Sequence, residues 1–213
     1  MHLLLERQGV QANHKLVYRI YREEGLGIRS KRPKRRKSCQ VRAERATVTQ
    51  VNECWSMDFM SDQLLGGQRF RLLTLVDNFS RESLAIRVGQ CLTGDDVVRV
   101  LDEVTQRRGK PQRIQTDNGP EFISKSLDCW AYWNGVKLDF SRPGKPTDHP
   151  YIESFNGRLR EECLNQHWFL SLLEAQRTVE AWREDYNRHR PHSALGDRTP
   201  NEFAIFSAGA RPC

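Results

Sequence analysis

The sequence predicts an α/β fold, a mixed five-stranded sheet covered by helices. Three observations predict it. A segment of alternating apolar and polar residues meets a Gly66-Gly67 turn and a second apolar run, the pattern of an antiparallel hairpin. Further on, short apolar runs alternate with helical patterns, and such alternation requires parallel crossovers. Each helical pattern carries one apolar stripe, so each has a face to lay on a sheet.

The elements follow in order. Over 54–60, Trp55, Met57 and Phe59 point one way and Ser56 and Asp58 the other, which predicts a strand. Residues 70–76 and 84–88 give the second and third strands. The helix over 93–108 starts on a capping-box pair, Thr93 and Asp96, and its stripe is Val97, Val100, Leu101 and Val104. A short strand over 113–116 runs into Asp117-Asn118-Gly119. A helix over 124–134 ends at Gly135, and 136–140 is the fifth strand. Pro143, Gly144 and Pro146 mark a loop, and Pro150 opens a helix over 150–166. Ser171 and Glu174 make a capping box for a last long helix with Ala175, Val179, Trp182 and Tyr186 inward and Pro191 at its end. Ahead of the sheet, Leu16, Val17, Ile20 and Tyr21 predict a helix over 14–24. With Leu3 to Leu5 as the tail of another, residues 1–28 read as a partial helix-turn-helix. The expected division is 1–28 for that segment, 29–50 for a basic flexible linker, 51–166 for the core and 167–213 for a C-terminal helical extension.

Composition narrows the function. The chain is 38% hydrophobic and 29% charged, enough for a core. No apolar run approaches the roughly 18 residues of a membrane span, and the N-terminus lacks the basic lead-in of a secretory signal. The six cysteines include no Cys-x-x-Cys pair. They are expected to be reduced and mostly buried in a cytoplasmic protein. His189 and His192 flank a proline and lack a Cys pair, so zinc is set aside. No glycine-rich phosphate loop precedes a helix, so ATP use is not expected. Trp130, Trp133, Trp168 and Trp182 are read as core. The positive charge is localised: residues 1–48 hold 13 Lys/Arg against 4 Asp/Glu, while the remainder holds 21 against 23. The run Lys31, Arg32, Lys34, Arg35, Arg36 and Lys37 is the candidate DNA-backbone contact, since cations there displace condensed counterions from phosphates.

Three acids stand where chemistry needs them. Asp58 is polar within an apolar strand, Asp117 ends a strand beside Gly119, and Glu153 lies in a first helical turn. On a helical wheel, Glu153, Asn156, Gly157 and Arg160 share a face beside the buried stripe of Ile152, Phe155, Leu159 and Cys163. That face offers a carboxylate, an amide, a glycine that admits a close backbone, and a guanidinium. Arg158, Arg160, Asn156 and Lys145 are candidate DNA contacts. Three carboxylates can hold two Mg²⁺ or Mn²⁺ ions for an in-line phosphoryl displacement. Asp62, Asp77, Glu121 and Asp148 compete for the same role, and each acid also has a structural reading as a turn former, surface residue or helix-dipole partner.

The flanking residues carry a resemblance. Trp55-Ser56-Met57-Asp58, Thr116-Asp117-Asn118-Gly119-Pro120-Glu121-Phe122, and Tyr151 to Arg160 with 35 residues between Asp117 and Glu153 resemble the signature blocks of retroviral-integrase-like transposases. Among these the OrfB transposases of the IS-three insertion-sequence family are most similar, down to Arg190-Pro191-His192-Ser193-Ala194-Leu195-Gly196 near the C-terminus. The resemblance implies an RNase-H-like fold and Asp58, Asp117 and Glu153 as catalytic metal ligands. It also implies two Mg²⁺ or Mn²⁺ ions, DNA-end cleavage and strand transfer in transposition. Further implications are a homo-oligomer on DNA, an OrfA-type end-binding partner and a bacterial, nucleoid-associated location. His149-Pro150 departs from the family's usual Asn-Ala, and the front is expected to be N-terminally shortened. The alternative reading is a catalytically silent remnant that acts as a DNA-binding regulator.

Overall fold

The computed structural model describes residues 2–26, 48–141 and 150–209, and the chain divides into two units, 1–47 and 48–213. In the first unit lie helices α1 (His2–Arg7) and α2 (His14–Glu23). Asn13 caps α2 by accepting from the Lys15 N–H at 2.9 Å, and neither helix has a buried residue. The basic run 31–37 lies outside the described residues.

The second unit is built on β1 (Cys54–Gln63), β2 (Arg69–Asp77), β3 (Ser83–Gly89), β4 (Arg113–Thr116) and β5 (Lys137–Phe140). Their order in the sheet is β3-β2-β1-β4-β5. The first three strands are antiparallel, while β4 and β5 run parallel to β1. This is the expected mixed sheet, in the RNase-H-like arrangement. The helices are α3 (Gly94–Arg108), α4 (Lys125–Asn134), α5 (Pro150–Glu162), α6 (Leu172–Arg188) and α7 (Pro200–Gly209).

The period-2 pattern of β1 explains the layers. Trp55 and Met57 join Leu73, Leu75 and Ile114 under α3 and α4. Met60 joins Phe70, Leu72, Val76 and Val88 under α5 and α6. Burying one such Leu or Phe side chain contributes about 1.5–3 kcal/mol. Local signals set the helix ends. Thr93 and Asp96 form the expected capping box on α3, and Ser124 caps α4. Gly135 closes α4 at φ 66°, a left-handed conformation that penalises residues with a Cβ.

Three expectations change. The helix from Pro150 ends at Glu162, and residues 164–166 form a separate 3-10 turn. Trp133 and Trp168 are 81% and 79% exposed rather than core, because Trp133 lies outside the buried stripe of α4 and Trp168 stands in the connection before α6. Cys54 and Cys163 are buried, but Cys91 and Cys129 are exposed. Among the described residues no helix is long and apolar enough to cross a membrane.

Candidate active site

The polar face of β1 passes beneath α5. Ser56 and Asp58 point to that face, where the sheet carries a polar track instead of aliphatic side chains. Ser56 Oγ donates to Asn78 Oδ1 at 2.8 Å, and Asn78 Nδ2 donates to Gln115 Oε1 at 3.1 Å. Gln115 Nε2 reaches Asp139 Oδ2 at 3.4 Å. Ser56, Thr74 and Asn78 are buried, so these bonds meet the desolvation cost of placing polar groups inside. Nothing in the spacing of Asn78, Gln115 and Asp139 announced this track; only the Ser56–Asp58 alternation pointed to it.

Asp58 is held firmly. Its Oδ1 accepts from the Phe59 N–H at 2.7 Å, and its Oδ2 accepts from Asn156 Nδ2 at 2.7 Å. Thr74 Oγ1 donates to the Asp58 carbonyl at 3.1 Å. In the parallel ladder Cys54, Trp55 and Ser56 pair with Arg113, Ile114 and Gln115. Carried on by two residues, that register brings Asp58 level with Asp117. Asp117 Oδ1 accepts from the Gly119 N–H at 3.0 Å, an Asx-turn. A Cβ on Gly119 would stand 3.0 Å from that oxygen and 3.4 Å from Glu121 Oε2, so glycine is what lets both carboxylates lie this close.

Glu153 is exposed in the first turn of α5, one turn before Asn156. Ile152, Phe155 and Leu159 bury the opposite stripe and seat the helix on the sheet. Asn156 was expected as a DNA contact. It is instead 8% exposed and spent on Asp58; the helical wheel gave its direction but not its depth. Arg160 Nη2 donates to the Ser61 carbonyl at 2.9 Å, which ties α5 to the edge of β1. Arg158 is half-buried on another side of the helix. Lys145, Lys31, Arg32, Lys34, Arg35, Arg36 and Lys37 lie outside the described residues.

The competing acids separate on geometry. Asp77 is buried and accepts from the Phe79 and Ser80 N–H groups at 2.9 and 2.8 Å and from the Asn52 N–H at 2.8 Å, so it builds the β2–β3 turn. Glu121 is paired with Arg71, whose hydrogen bond holds its carboxyl below the usual range. Asp62 is half-buried at the far end of β1, and Asp148 lies outside the described residues.

The donors here are hard oxygens, the ligand type that Mg²⁺ and Mn²⁺ take. Asn156 Oδ1, buried beside Asp58, has no hydrogen-bond partner, one more oxygen suited to a hard cation or its water. The set fits a divalent ion in kind. Among the described residues, however, no three His, Cys, Asp or Glu side chains stand together closely enough to hold one.

Comparisons with known proteins bear on this arrangement. Integrase core domain patterns match residues 48–146 and 134–200. A 31.7 kDa protein of insertion element IS407 from Burkholderia multivorans is 50% identical over 204 residues, covering 96% of this chain and 73% of that one. The chain belongs to the insertion-element transposases built on an integrase core. A 39.2 kDa protein of insertion element IS476 from Xanthomonas euvesicatoria is 43% identical over 96% of this transposase, which spans only 59% of that relative. Among solved structures, the HTLV-2 integrase catalytic core in complex with magnesium superposes with a TM-score of 0.60 at 19% identity, covering 73% of this chain and 97% of that one. A simian T-cell lymphotropic virus intasome, in complex with a PP2A regulatory subunit, gives 0.64 at 17% identity over 82% of this chain and 61% of that one. These two likenesses speak to the fold of the transposase alone.

Proposed function

We propose that this transposase is a metal-dependent polynucleotidyl transferase acting at the ends of its element, with Asp58, Asp117 and Glu153 as its catalytic carboxylates. The observation that carries the proposal is the Asn156–Asp58 bond. It joins the first turns of α5 to the centre of β1, and the β1–β4 register, carried on by two residues, supports Asp117 lying level with Asp58. Both support the reading that three elements distant in sequence carry one acid each toward the same sheet face.

Two Mg²⁺ or Mn²⁺ ions held by these carboxylates would supply Lewis acidity to the scissile phosphate and to the attacking oxygen. The chain's own part is positional. Asn156 fixes the rotamer of Asp58, the Gly119 N–H fixes that of Asp117, and Gly157 leaves the outer face of α5 open. In cleavage, a water oxygen attacks phosphorus and the 3′ oxygen leaves. In joining, that freed 3′-hydroxyl attacks a second phosphodiester and displaces its bridging oxygen. DNA, as element end and as target, is the substrate, and the chain acts on it as a homo-oligomer.

Asp58→Asn, Asp117→Asn and Glu153→Gln each keep size while removing a charge. Each should lower Mg²⁺-dependent strand transfer from pre-cleaved ends by roughly 100-fold or more, with double variants little worse than single ones. DNA binding and the thermal midpoint should hold. Wild-type strand transfer in Glu153→Gln would remove Glu153 from the mechanism.

A further inference from the structure

A second cluster of charge lies along another side of α5. Tyr151, Phe155, Arg158 and Glu162 recur there at helical spacing. The Arg81 guanidinium lies over the Tyr151 ring, 3.4 Å from its centroid. Phe155 packs edge-on against Tyr186 at 5.1 Å between centroids, and Tyr186 meets His192 edge-on at 5.0 Å. Glu162 pairs with Arg190. Three guanidiniums, Arg81, Arg158 and Arg190, therefore gather around one Tyr–His pair. Their joint field is felt there. Burial first, then the charges of Arg158, Arg190 and Arg81, hold the His192 pKa down to about 4.

Only Arg190 has a carboxylate. Among the described residues none pairs with Arg81 or Arg158. The acids nearby are committed elsewhere: Glu82 to Arg108, Glu180 to Arg183, and Asp77 to the β2–β3 turn. Two buried nitrogens also have no acceptor, Arg81 Nη1 and His192 Nε2, and His192 is only 8% exposed. Leaving such a group unsatisfied costs about 1–3 kcal/mol, more when it is charged. Arg81 sits at φ 63°, held there by the turn that Asp77 organises. The fold thus leaves donor capacity unmet around one Tyr–His pair, which an anion with several oxygens would satisfy.

We propose that Arg81, Arg158 and His192 form a pocket for one backbone phosphate of DNA, separate from the carboxylate site. The proposal rests on the reading of the chain as a DNA transposase. Two observations favour DNA as the source of the anion. Arg158 stands on the same helix as Glu153, about 7.5 Å along its axis and about 140° around it, so a double strand lying over α5, and not one strand along its axis, is what would meet both. The chain beyond residue 48 is net acidic, with 21 basic against 23 acidic residues, so two unpaired arginines together run against its balance. In its Nε2–H tautomer, neutral His192 donates one bond to the phosphate while the guanidiniums supply charge and paired donors.

The test uses the full chain and a short DNA duplex. The double variant Arg81→Gln, Arg158→Gln should bind about tenfold more weakly, and the slope of log affinity against log salt should drop by about 0.9, the loss of one phosphate contact. In wild type, ¹⁵N-edited NMR should show the His192 ring shifting on DNA addition and its pKa rising, since an adjacent anion favours the imidazolium. That measurement needs no variant and stands even if the double variant fails to fold. If wild type binds DNA while both the slope and His192 stay unchanged, the pocket is refuted and the transposase reading survives. If wild type binds no DNA and joins no ends, the functional reading itself fails. A double variant that alters sedimentation but not the salt slope makes the cluster a subunit contact and overturns the proposal.

Discussion

Asp58 has donors of its own chain on both carboxylate oxygens, whereas the Asp117 bond comes from its own turn. The acids differ in how the fold restrains them, and this distinction did not follow from residue type. It also rules out Asp77 as a neutral comparison for the carboxylate series, because Asp77→Asn would disturb a buried turn. His192 supplies a prediction at this scale. Its folded pKa, about 4, lies below the ordinary 6.5 of an unfolded histidine. Between those values the unfolded chain binds a proton that the folded chain does not. The contribution to stability is therefore complete above pH 6.5 and is lost as pH falls toward 4, by on the order of 3 kcal/mol. Urea unfolding in phosphate-free buffer at several pH values should show a steeper acid loss for wild type than for His192→Gln. Parallel curves for the two would remove the linkage.

At the scale of elements, α5 is where the sequence was most and least informative. Its stripe of Ile152, Phe155 and Leu159 was legible because helical period and burial obey one geometry. The strands were legible for the same reason, with Trp55 and Met57 on one layer and Met60 on the other. What periodicity cannot carry is depth and partnership across the chain. Asn156 reaching Asp58, Arg81 lying over Tyr151, and Glu162 pairing with Arg190 join positions whose separation in sequence has no pattern. The Trp133 and Trp168 readings failed on composition, since aromatic character favours burial only where a helix or connection turns that position inward. Gly157 offers a test of the helix face. Nothing lies within 4 Å of a Cβ added there. Gly157→Ala should therefore raise stability by about 0.5–1 kcal/mol in thermal or urea unfolding. If DNA crosses this face closely, the same change should weaken DNA binding several-fold. Unchanged affinity would move the DNA path off the outer face of α5.

Across the whole molecule, the positive charge and the candidate chemistry occupy different parts of the chain. Residues 1–48 carry 13 basic and 4 acidic residues, and the sheet with its carboxylates lies beyond them. Removing residues 1–48 should abolish most nonspecific DNA affinity and flatten its salt dependence. Strand transfer at high DNA concentration should fall far less. Filter binding across a salt series checks this, and an unchanged slope would place the DNA surface on the second unit. The cysteines add a different kind of consequence. Among the described cysteines, Cys91 and Cys129 are open to solvent, while Cys54 is sealed at the start of β1 and Cys163 in the layer under α5, with burial pushing the Cys163 thiol up to about 11. An alkylating reagent therefore meets two populations of sulfur on one polypeptide. The accessible pair reports arrival of the reagent, and Cys163 reports only the moments when α5 lifts from the sheet. The protein thus carries its own clock for the opening of the layer that holds Asp58, readable without adding a label to the site.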